Sequence, residues 1–507
     1  MSTADEDSQD EAGDIAAADP RRWVALAFLA AMQFMLTMDV TVVFVALPKI
    51  QSDLNFSYQA LAWVANGYLL MAGGFLLLGG RLADMFGRRR MFLAGVFVFG
   101  VASATCGAAA SSGMLVSSRF VQGLGEALSG PAALGMIPVL FPDSRERMKA
   151  LGIWGGMAAL GGTLGSVISG VLTDVSWRWI FYINIPVALF ALLIVPRVMA
   201  ESRMDRTGRK LDVAGAITVT GGLVAVVYGL LQAASHPWGS WQVLLPLLGG
   251  VVLLAVTTVY EARIPDPMIP IRFFTNRTRV TSNVASLALL AGFHAYAFLL
   301  TLYMQQILGY SPLRAGLAIV PLAVGMGAGM GLATALMPRI GVKAVLTIGF
   351  LGSAAGLVIA SNIHADSSYL GGLLPGLVVW GIFSAMCYPA LINGALHKVT
   401  GQDSGLASGV QTAMQQTGAA LGLATLVPLA LRYASHHIGH GTPPAVAQTN
   451  GYSLSFRVGA VVLAVAAVLV LLLLENVTAK PRNALAEAAD DEVLAAPSAP
   501  SAAGAES

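Results

Sequence analysis

Charge and cysteine are both scarce in this chain of 507 residues. Only 11% of the residues are charged, against about 25% in a typical soluble domain. Apolar residues make up 56% of the sequence, and the mean hydropathy is +0.72. The charged residues occur in short groups between long apolar runs, which excludes an ordinary soluble enzyme and a disordered chain. We therefore expect a polytopic membrane protein.

The two cysteines, Cys106 and Cys387, both lie inside apolar runs, where a thiol most often behaves as a small apolar side chain. Two cysteines exclude a disulfide-rich secreted scaffold. The sequence also lacks a metal-ligand cluster, a phosphate-binding glycine loop and a nucleophile–base arrangement. We therefore expect no metal, no cofactor, no nucleic-acid partner, no obligatory protein partner and no enzymatic activity.

Fourteen apolar runs are each long enough to cross a bilayer core of about 30 Å, which needs about 20 residues. An even number of crossings places both ends of the chain on one side of the membrane. The predicted spans are 23–47, 58–80, 91–110, 113–140, 148–173, 180–198, 213–233, 243–261, 281–308, 315–337, 342–361, 370–396, 407–433 and 453–475.

The positive charges indicate which side that is. Of the 29 Lys and Arg residues, 23 fall in the set of alternate connections that includes both chain ends, and Arg119 lies inside a span. Because short cytoplasmic loops are enriched in Lys and Arg, we expect both termini in the cytoplasm. The acidic segment 1–22 and the Ala-, Pro- and Ser-rich segment 476–507 predict disordered tails, and the first of them lacks the features of a signal peptide.

The longest charged connections, 199–212 and 262–280, divide the spans into six, two and six. The sequence thus predicts an all-α membrane fold. It would consist of a six-helix bundle at 23–198, an inserted helix pair with its flanking loops at 199–280, and a second six-helix bundle at 281–475. Two bundles around a central pathway are a common transporter design.

Two of the 27 acidic residues, Asp39 and Glu126, lie deep within predicted spans, where an ionisable group is costly and points to a function. Asp39 is either a buried partner that ties its helix to a neighbour, or a proton-binding site. Arg119, Gln122 and Glu126 share one helix face. Arg119 therefore either neutralises one of the acids or controls their proton binding, and all three charged residues are candidates for proton coupling.

The connection after the second span reads G-G-R-L-A-D-M-F-G-R-R-R. Gly80 and Gly87 permit a tight turn between helix ends, and Asp84 can accept hydrogen bonds from a helix N-terminus or an arginine such as Arg81 or Arg88. A cluster of charges that only sets topology explains the arginines but neither the glycines nor Asp84. We expect this segment to have a specific structural role.

Two further sets of residues are candidates for weaker reasons. Small residues in the fifth span form ridges that permit close helix crossing, namely Gly161, Gly165 and Ser169 on one ridge and Gly162, Ser166 and Gly170 on the other. Polar and aromatic residues elsewhere would line a substrate cavity, although ordinary packing explains each of them equally well. These are Trp63, Asn66, Gln122, His294, Gln305, Tyr388 and Asn393.

The motifs resemble the major facilitator superfamily, and within it the fourteen-helix drug:proton antiporters. The run from Asp39 to Pro48 is similar to that family's first-helix signature, with Phe44 where Asn is usual. Residues 80–90 resemble the family's gating motif between helices 2 and 3. Residues 119–123 resemble its helix 4 motif, whose arginine is implicated in proton coupling. Two further segments are similar to the family's helix 5–6 and helix 9–10 junctions, namely 177–186 and 303–316.

The chain departs from the family pattern in three places. In the helix 5 antiporter motif, Ser166 stands where proline is usual, and Ser169 replaces the first of the paired glycines. Alanine is common in the family where this chain has Glu126. The corresponding segment of the second half, at 339–343, resembles the gating motif but lacks its acidic residue.

The resemblance implies an exporter of hydrophobic or amphiphilic compounds in the bacterial inner membrane, driven by the proton gradient without a cofactor. Asp39 is then expected to be the obligatory proton carrier. Glu126 is expected either to set the charge of the cavity, which favours cationic substrates, or to hold Arg119. A proton-coupled importer of a nutrient and a membrane scaffold or sensor without transport activity are the alternatives.

Overall fold

The computed structural model describes residues 21–141, 143–199, 201, 212–264, 267, 271–399 and 404–475. These residues are helical or lie in short connections, and they include no strand. The two predicted tails lie outside the described residues, apart from the first turn of the first helix.

Fifteen α-helices occur in the described residues. The first half contains α1 Arg21–Asp53, α2 Tyr58–Phe86, α3 Arg88–Gly107, α4 Ser112–Leu140, α5 Ser144–Val175, α6 Trp179–Tyr182 and α7 Asn184–Val198. The pair that follows is α8 Val213–Gln232 and α9 Trp241–Glu261. The second half contains α10 Arg277–Leu302, α11 Pro312–Ala318, α12 Val320–Ala360, α13 Leu374–Ala395, α14 Ser404–Gly439 and α15 Pro444–Leu473. Several begin at serine caps, such as Ser57, Ser111 and Ser311, whose hydroxyls accept a backbone N–H of the first turn.

Twelve helices of the described chain are long and apolar enough to cross a membrane. The number is thirteen when the two segments of α5, bent by 42° relative to each other, count together as one span. The sequence predicted fourteen. The difference lies in the predicted spans 315–337 and 342–361, which the structure joins into one helical stretch, Pro312–Ala360.

The chain turns back on itself within α12. Gly341 has φ 80° and ψ 165°, a backbone conformation that is essentially confined to glycine. Gly329 lies against Ile382 of α13, and Gly352 lies against the adjacent Phe383. A straight helix would separate positions 329 and 352 by about 35 Å. The two arms of α12, residues 320–340 and 342–360, therefore run in opposite directions along α13.

Small residues hold helices at close range in both halves. In the first half, a Cβ at Gly79 of α2 would collide with the backbone of Ala127 of α4. In the second half, a Cβ at Gly418 of α14 would collide with the backbone of Leu287 of α10. Close approach of this kind is the usual basis of helix association in membranes.

The helix pair α8–α9 contacts both halves. Trp63 of α2 packs against Tyr228 of α8, with ring centroids 6.4 Å apart. Arg432 of α14 donates hydrogen bonds of 3.2 Å to the carbonyl oxygens of Ala233 and His236, which follow α8. The pair thus bridges α2 and α14 from the outside.

The two halves meet along α2 and α14, where Gly73 lies against Gln416 and Leu77 against Gly409. They also meet at one end of the bundle, which we call the closed face. There the backbone of Ser166 in α5 lies against Gly316 in α11. The Gln305 side chain, just after α10, donates a hydrogen bond of 2.7 Å to the Val45 carbonyl oxygen of α1. These contacts hold three helices of the bundle together across the midline.

At the other end, which carries the starts of α1, α3, α5 and α10 and which we call the basic face, α5 and the first arm of α12 are uncovered. Residues 151–153 and 155–156 are exposed on α5, as are 330–332 and 334–335 on α12. Because each set covers more than a full helical turn, a single lipid-facing stripe does not account for it. Over these turns α5 and the first arm of α12 are open to their surroundings, while α2 and α14 pack against each other near the same end.

Candidate functional site

Asp39 lies in the middle of α1, and its side chain is completely buried. Its Oδ2 accepts a hydrogen bond from Arg119 of α4. Its Oδ1 accepts from Gln122 Nε2 at 2.9 Å and from Asn184 Nδ2 at 2.8 Å. The same two amides reach Ser103 Oγ at 3.3 and 3.0 Å. We call these five residues the buried polar cluster.

Arg119 is held on several sides. Its Nε donates to the Val64 carbonyl oxygen at 2.8 Å, and its Nη1 also donates to Gln122 Oε1 at 2.7 Å. The face of the Tyr68 ring lies 4.3 Å from its guanidinium carbon. Of the two acids that the sequence offered as partners, Arg119 pairs with Asp39. A buried ion pair is tolerated only when hydrogen bonds satisfy it in this way.

Glu126 has different surroundings, at the seam between the halves. Its Oε1 accepts a hydrogen bond of 3.4 Å from Gln416 Nε2 of α14. Its Oε2 is buried without a hydrogen-bond partner among the described residues. The buried Tyr68 hydroxyl is close enough to interact with this carboxylate as a hydrogen-bond donor, although the two groups do not meet in normal hydrogen-bond geometry. The two intramembrane acids are thus unlike, because one is saturated with donors and the other is not.

Residues 80–90, which we call the gating segment, turn from α2 into α3 at Gly87, whose φ of 105° favours glycine. Asp84 Oδ1 accepts a hydrogen bond of 3.0 Å from Arg88 Nη2. Arg88 Nη1 donates at 2.6 Å to the Gly135 carbonyl oxygen near the end of α4. In this conformation Asp84 is therefore paired within its own half.

The neighbouring residues of the gating segment make longer-range contacts. Gly80 faces Pro131 of α4, with room for a Cβ at 3.6 Å. The Arg81 guanidinium donates to the carbonyl oxygen of Pro267, which lies in the connection leading to the second half. The segment thus touches both α4 and the connection that precedes α10.

The two ridges of α5 face different partners. Gly161, Gly165 and Ser169 face α1, where Ser169 Oγ donates to the Val42 carbonyl oxygen at 2.5 Å. On the other ridge, Gly162 also lies beside α1, near Thr37, but Ser166 and Gly170 face α11 of the opposite half. The serine that stands at the family's proline position therefore lies at the contact between halves.

The residues predicted to line a cavity do not form one cluster. Trp63 stacks on Phe120 and faces the helix pair. Gln122 belongs to the buried polar cluster, and Gln305 lies at the closed face. Asn66 is completely buried, and neither atom of its amide has a partner among the described residues.

The remaining three cavity candidates lie in the second half. His294 bonds through Nδ1 to the carbonyl oxygen of Leu290 in its own helix, and its ring meets Phe44 of α1 edge-on. Tyr388 is partly buried on α13. Asn393 is exposed, and its amide donates to the carbonyl oxygen of Pro389 one turn earlier. Of these, His294 alone faces the first half through a ring contact.

Three residues of the site were absent from the predicted set: Ser103, Asn184 and Gln416. Tyr68, which follows Trp63 and Asn66 in the same helix, was expected only as part of the lining of an aromatic cavity. Asn184 carried a signal, because it lies in the stretch similar to the family's helix 5–6 junction. The others carried none, since neutral polar residues are common in membrane helices and their partners lie far away in sequence. No group of three or more His, Cys, Asp or Glu side chains is placed to hold a metal ion in the described part of the chain.

Comparison with known proteins agrees with this geometry. The family model described as the Major Facilitator Superfamily matches residues 29–423 and 283–503. The chain belongs to the major facilitator superfamily. It is 38% identical over 472 residues to a puromycin resistance protein of Streptomyces alboniger, covering 91% of this chain and 93% of that protein. It is 37% identical over 407 residues to a cephamycin export protein of Amycolatopsis lactamdurans, covering 80% and 84%.

A solved structure supports the fold of this major facilitator protein. The nucleoside transporter NupG, in a D323A mutant, matches with a TM-score of 0.63 over 88% of this chain and 99% of that one. At 12% sequence identity the likeness concerns the fold alone. As a member of the superfamily, the chain is a multi-pass membrane transporter and not an enzyme.

Proposed function

We propose that this protein exports hydrophobic or amphiphilic compounds, including antibiotics or related metabolites, in exchange for protons. Relatives named for puromycin resistance and cephamycin export support the direction and the substrate class. The observation that carries the proton coupling is the fully buried pair of Asp39 and Arg119. Charges at this depth are expensive and mark ion or proton pathways.

In the proposed cycle, Asp39 carries the proton and Arg119 controls its release. While Arg119, Gln122 and Asn184 donate to Asp39, its carboxylate is satisfied without a proton. Proton binding removes the negative charge that these three donors face, and it leaves Arg119 without its counter-charge. Because an unpaired buried charge is strongly unfavourable, α1 and α4 must then rearrange, which links protonation to the change of conformation.

The substrate enters from the basic face, through a crevice that we place between the exposed turns of α5 and α12. Closure of this crevice and separation of α5 from α11 at the closed face then exposes the substrate to the other side. In the same step Asp84 changes its hydrogen-bond partner, and the gating segment then stabilises the new conformation. The drive is about 2.3 kcal/mol per charge per 100 mV plus about 1.4 kcal/mol per pH unit.

We further propose fourteen crossings in a 6+2+6 order, with bundles at 23–198 and 281–475 and an inserted pair within 199–280. The reversal at Gly341 adds one crossing to the twelve helices, and the bent α5 adds another. The predominance of Lys and Arg in one set of connections supports cytoplasmic termini, and the bacterial relatives support the inner membrane.

Flux through liposomes tests the proposal. The purified chain is reconstituted, a pH gradient is imposed, and a panel of dyes and antibiotics is followed together with proton movement. We expect substrate to move against its gradient while protons move the opposite way. Movement of both in the same direction would indicate an importer, and the absence of any substrate-dependent proton flux would indicate a scaffold or sensor.

A further inference from the structure

The side chains bonded to Asp39 all act as donors, which suits its charged form but offers its protonated form no acceptor. The two carboxylate oxygens accept hydrogen bonds from Arg119, Gln122 and Asn184. A protonated carboxyl group has an O–H donor of its own, and a buried donor without an acceptor is unfavourable. A proton carrier at this position therefore needs a neighbour that changes from donor to acceptor when the proton binds.

Two of the three neighbours are unsuited to that change. Arg119 has only N–H donors and no acceptor. The side-chain oxygen of Gln122 already accepts from Arg119 Nη1 at 2.7 Å and from the Cys106 thiol at 3.6 Å. Turning the Gln122 amide would break both hydrogen bonds and place its NH₂ group against the guanidinium. Gln122 is therefore held in the orientation in which it donates to Asp39.

Asn184 is the neighbour whose amide can turn. Its side chain is completely buried, and its Nδ2 donates to Asp39 Oδ1 at 2.8 Å and to Ser103 Oγ at 3.0 Å. Its Oδ1 has no hydrogen-bond partner among the described residues. A half-turn of the amide therefore breaks no hydrogen bond to that oxygen, and it brings the oxygen to the position from which it can accept the carboxyl proton.

The surroundings of Asn184 tolerate such a turn. Ser103 remains a partner, because a hydroxyl group both donates and accepts. The NH₂ group moves to the side where an oxygen was unsatisfied before, so the number of unpartnered groups on Asn184 stays the same. Asn184 is the first residue of α7, and Ser103 Oγ donates at 2.9 Å to the Phe181 carbonyl oxygen of α6. The turn therefore also changes the hydrogen bonding at the junction of α6 and α7.

We propose that Asn184 is the positioning residue of the proton site, because its amide donates to charged Asp39 and, after a half-turn, accepts from protonated Asp39. This inference rests on the proton coupling proposed above and concerns the same carboxylate. The titratable and charged groups that act on Asp39 are Tyr68 on α2, Cys106 on α3, and Arg119 and Glu126 on α4. Asn184, on α7, adds a neutral group that responds to the proton.

Two variants of equal size test this role. Asn184→Thr keeps a hydroxyl that can donate to the charged carboxylate and accept from the protonated one, whereas Asn184→Val can do neither. The measurement is an infrared titration of the purified full chain, in which the band of protonated Asp39 is followed against pH. Its assignment comes from its absence in the double variant Asp39→Asn/Arg119→Gln, which removes the carboxyl group together with its counter-charge.

The expected result is a shift of this titration to lower pH in Asn184→Val. The charged form keeps Arg119 and Gln122 as donors, but the protonated form loses its acceptor. We therefore expect the midpoint to fall by about one pH unit, the worth of one hydrogen bond, while Asn184→Thr stays near the wild type. We also expect the band to move to higher frequency in Asn184→Val, because the carboxyl group then has no hydrogen-bond acceptor.

The direction of the shift separates this role from a purely structural one. If Asn184 served only as a donor to the charged carboxylate, its loss would favour the protonated form and the midpoint would rise. A rise, an unchanged midpoint or an unchanged band frequency in Asn184→Val would overturn the proposal. Asn184→Ala removes the same two groups from a smaller side chain and replaces Asn184→Val if that variant does not fold.

Asn283→Val is the matched control. Asn283 of α10 is also buried, its Nδ2 donates to the Arg279 carbonyl oxygen at 2.9 Å, and its Oδ1 likewise has no partner among the described residues. We expect this variant to leave both the midpoint and the frequency of the Asp39 band unchanged. Shifts as large as those of Asn184→Val would show a general effect of losing a buried amide and would overturn the proposal.

Substrate-coupled proton flux in liposomes distinguishes the failure of this inference from the failure of the function on which it rests. Flux in the wild type, together with a rise or no change of the midpoint in Asn184→Val, would refute the role of Asn184 alone. Absence of flux in the wild type would refute proton-coupled export, whatever the infrared titration shows.

Discussion

At the residue scale, the two intramembrane acids differ in how many donors surround them. Asp39 receives hydrogen bonds from three side chains on α4 and α7, so its charge is distributed over a prearranged set of dipoles and one cation. Glu126 receives one weak hydrogen bond from the other half of the molecule. Protonation of Asp39 would therefore disturb three donors of one polar network at once, whereas protonation of Glu126 would disturb a single weak hydrogen bond.

Asp39→Asn tests the proton carrier. We expect gradient-driven efflux and substrate-coupled proton flux in liposomes to be abolished, because an amide does not exchange a proton at this position. The change also leaves Arg119 buried without a counter-charge, which destabilises the protein by about 3–5 kcal/mol. Thermal unfolding of the purified variant must therefore be measured beside transport.

The double variant Asp39→Asn/Arg119→Gln separates folding from function. It removes the orphaned charge, so its unfolding temperature should recover relative to the single variant while transport stays absent. Full proton coupling in a well-folded Asp39→Asn protein would contradict the assignment. Vanishing proton release in Glu126→Gln together with intact release in Asp39→Asn would transfer the role to Glu126.

The sequence identified those residues of the site whose burial in a membrane span is energetically unfavourable. Asp39, Glu126 and Arg119 stood out because charges inside apolar runs need a reason, and the resemblance to a known family pointed to Asp39 and Arg119 independently. Ser103 and Gln416 did not stand out, because a neutral polar side chain in a span is common and only the packed structure shows which group it faces. The choice of Asp39 over Glu126 as the partner of Arg119 likewise depends on how α1 packs against α4.

At the element scale, the gating segment couples the end of α2 to α4 and to the connection before α10. Asp84→Asn removes the negative charge that pairs with Arg88, and Arg88 in turn holds the Gly135 carbonyl oxygen. We expect the transport rate in liposomes to fall strongly while equilibrium substrate affinity changes by only a few-fold, because the segment lies at the basic end of the helices and controls closure.

Arg90→Gln is the matched control for this prediction. Arg90 lies in the same run of arginines but is largely exposed, with 61% of its side chain accessible. If the segment only sets topology, both variants should have similar and mild effects. A well-expressed Asp84→Asn protein with a normal transport rate would show that the latch does not exist.

The contact of α5 with α11 gives a second prediction for an element. Gly170→Val places a branched side chain against the backbone of Pro312 and Leu313, and overpacking of this kind costs about 1–3 kcal/mol. We expect the closed face to open, with reduced thermal stability and slower transport. Gly249→Val, where a Cβ on α9 meets no atom of the described chain within 4 Å, should leave both measurements nearly unchanged. Equal losses of stability and transport in the two variants would indicate that the added side chains disturb membrane insertion, and not the contact between α5 and α11.

Helix boundaries were less predictable from sequence than helix content. The apolar runs marked nearly every helix, but the break at Gly341 lies between two runs that the structure joins with a single non-helical residue. The sequence separated the two runs at 338–341, but it did not show that one residue reverses the chain there. The local φ and ψ of one glycine, together with packing of both arms on α13, decide the path of the chain there.

At the scale of the whole molecule, the energy source is the main prediction. The described chain has no group of side chains placed to hold a metal, the sequence has no nucleotide loop, and a buried ion pair lies between helices of one half. Efflux from whole cells should collapse with a protonophore and persist when ATP is depleted but the gradient is maintained. The measurement is dye efflux under both treatments. Efflux that follows the ATP level would contradict the proposal.

The position of Asp39 in the chain has a consequence for biosynthesis. Its donors, Arg119, Gln122 and Asn184, lie in α4 and α7 and are therefore synthesised after α1. During that interval an acidic residue in the first helix faces lipid or the insertion machinery alone, at a disadvantage of about 2.5–3.5 kcal/mol at the centre of a helix. The first half of the chain is therefore stably inserted in the bilayer only once α4 has been synthesised. We expect cellular quality control to recognise nascent chains that stall before α4.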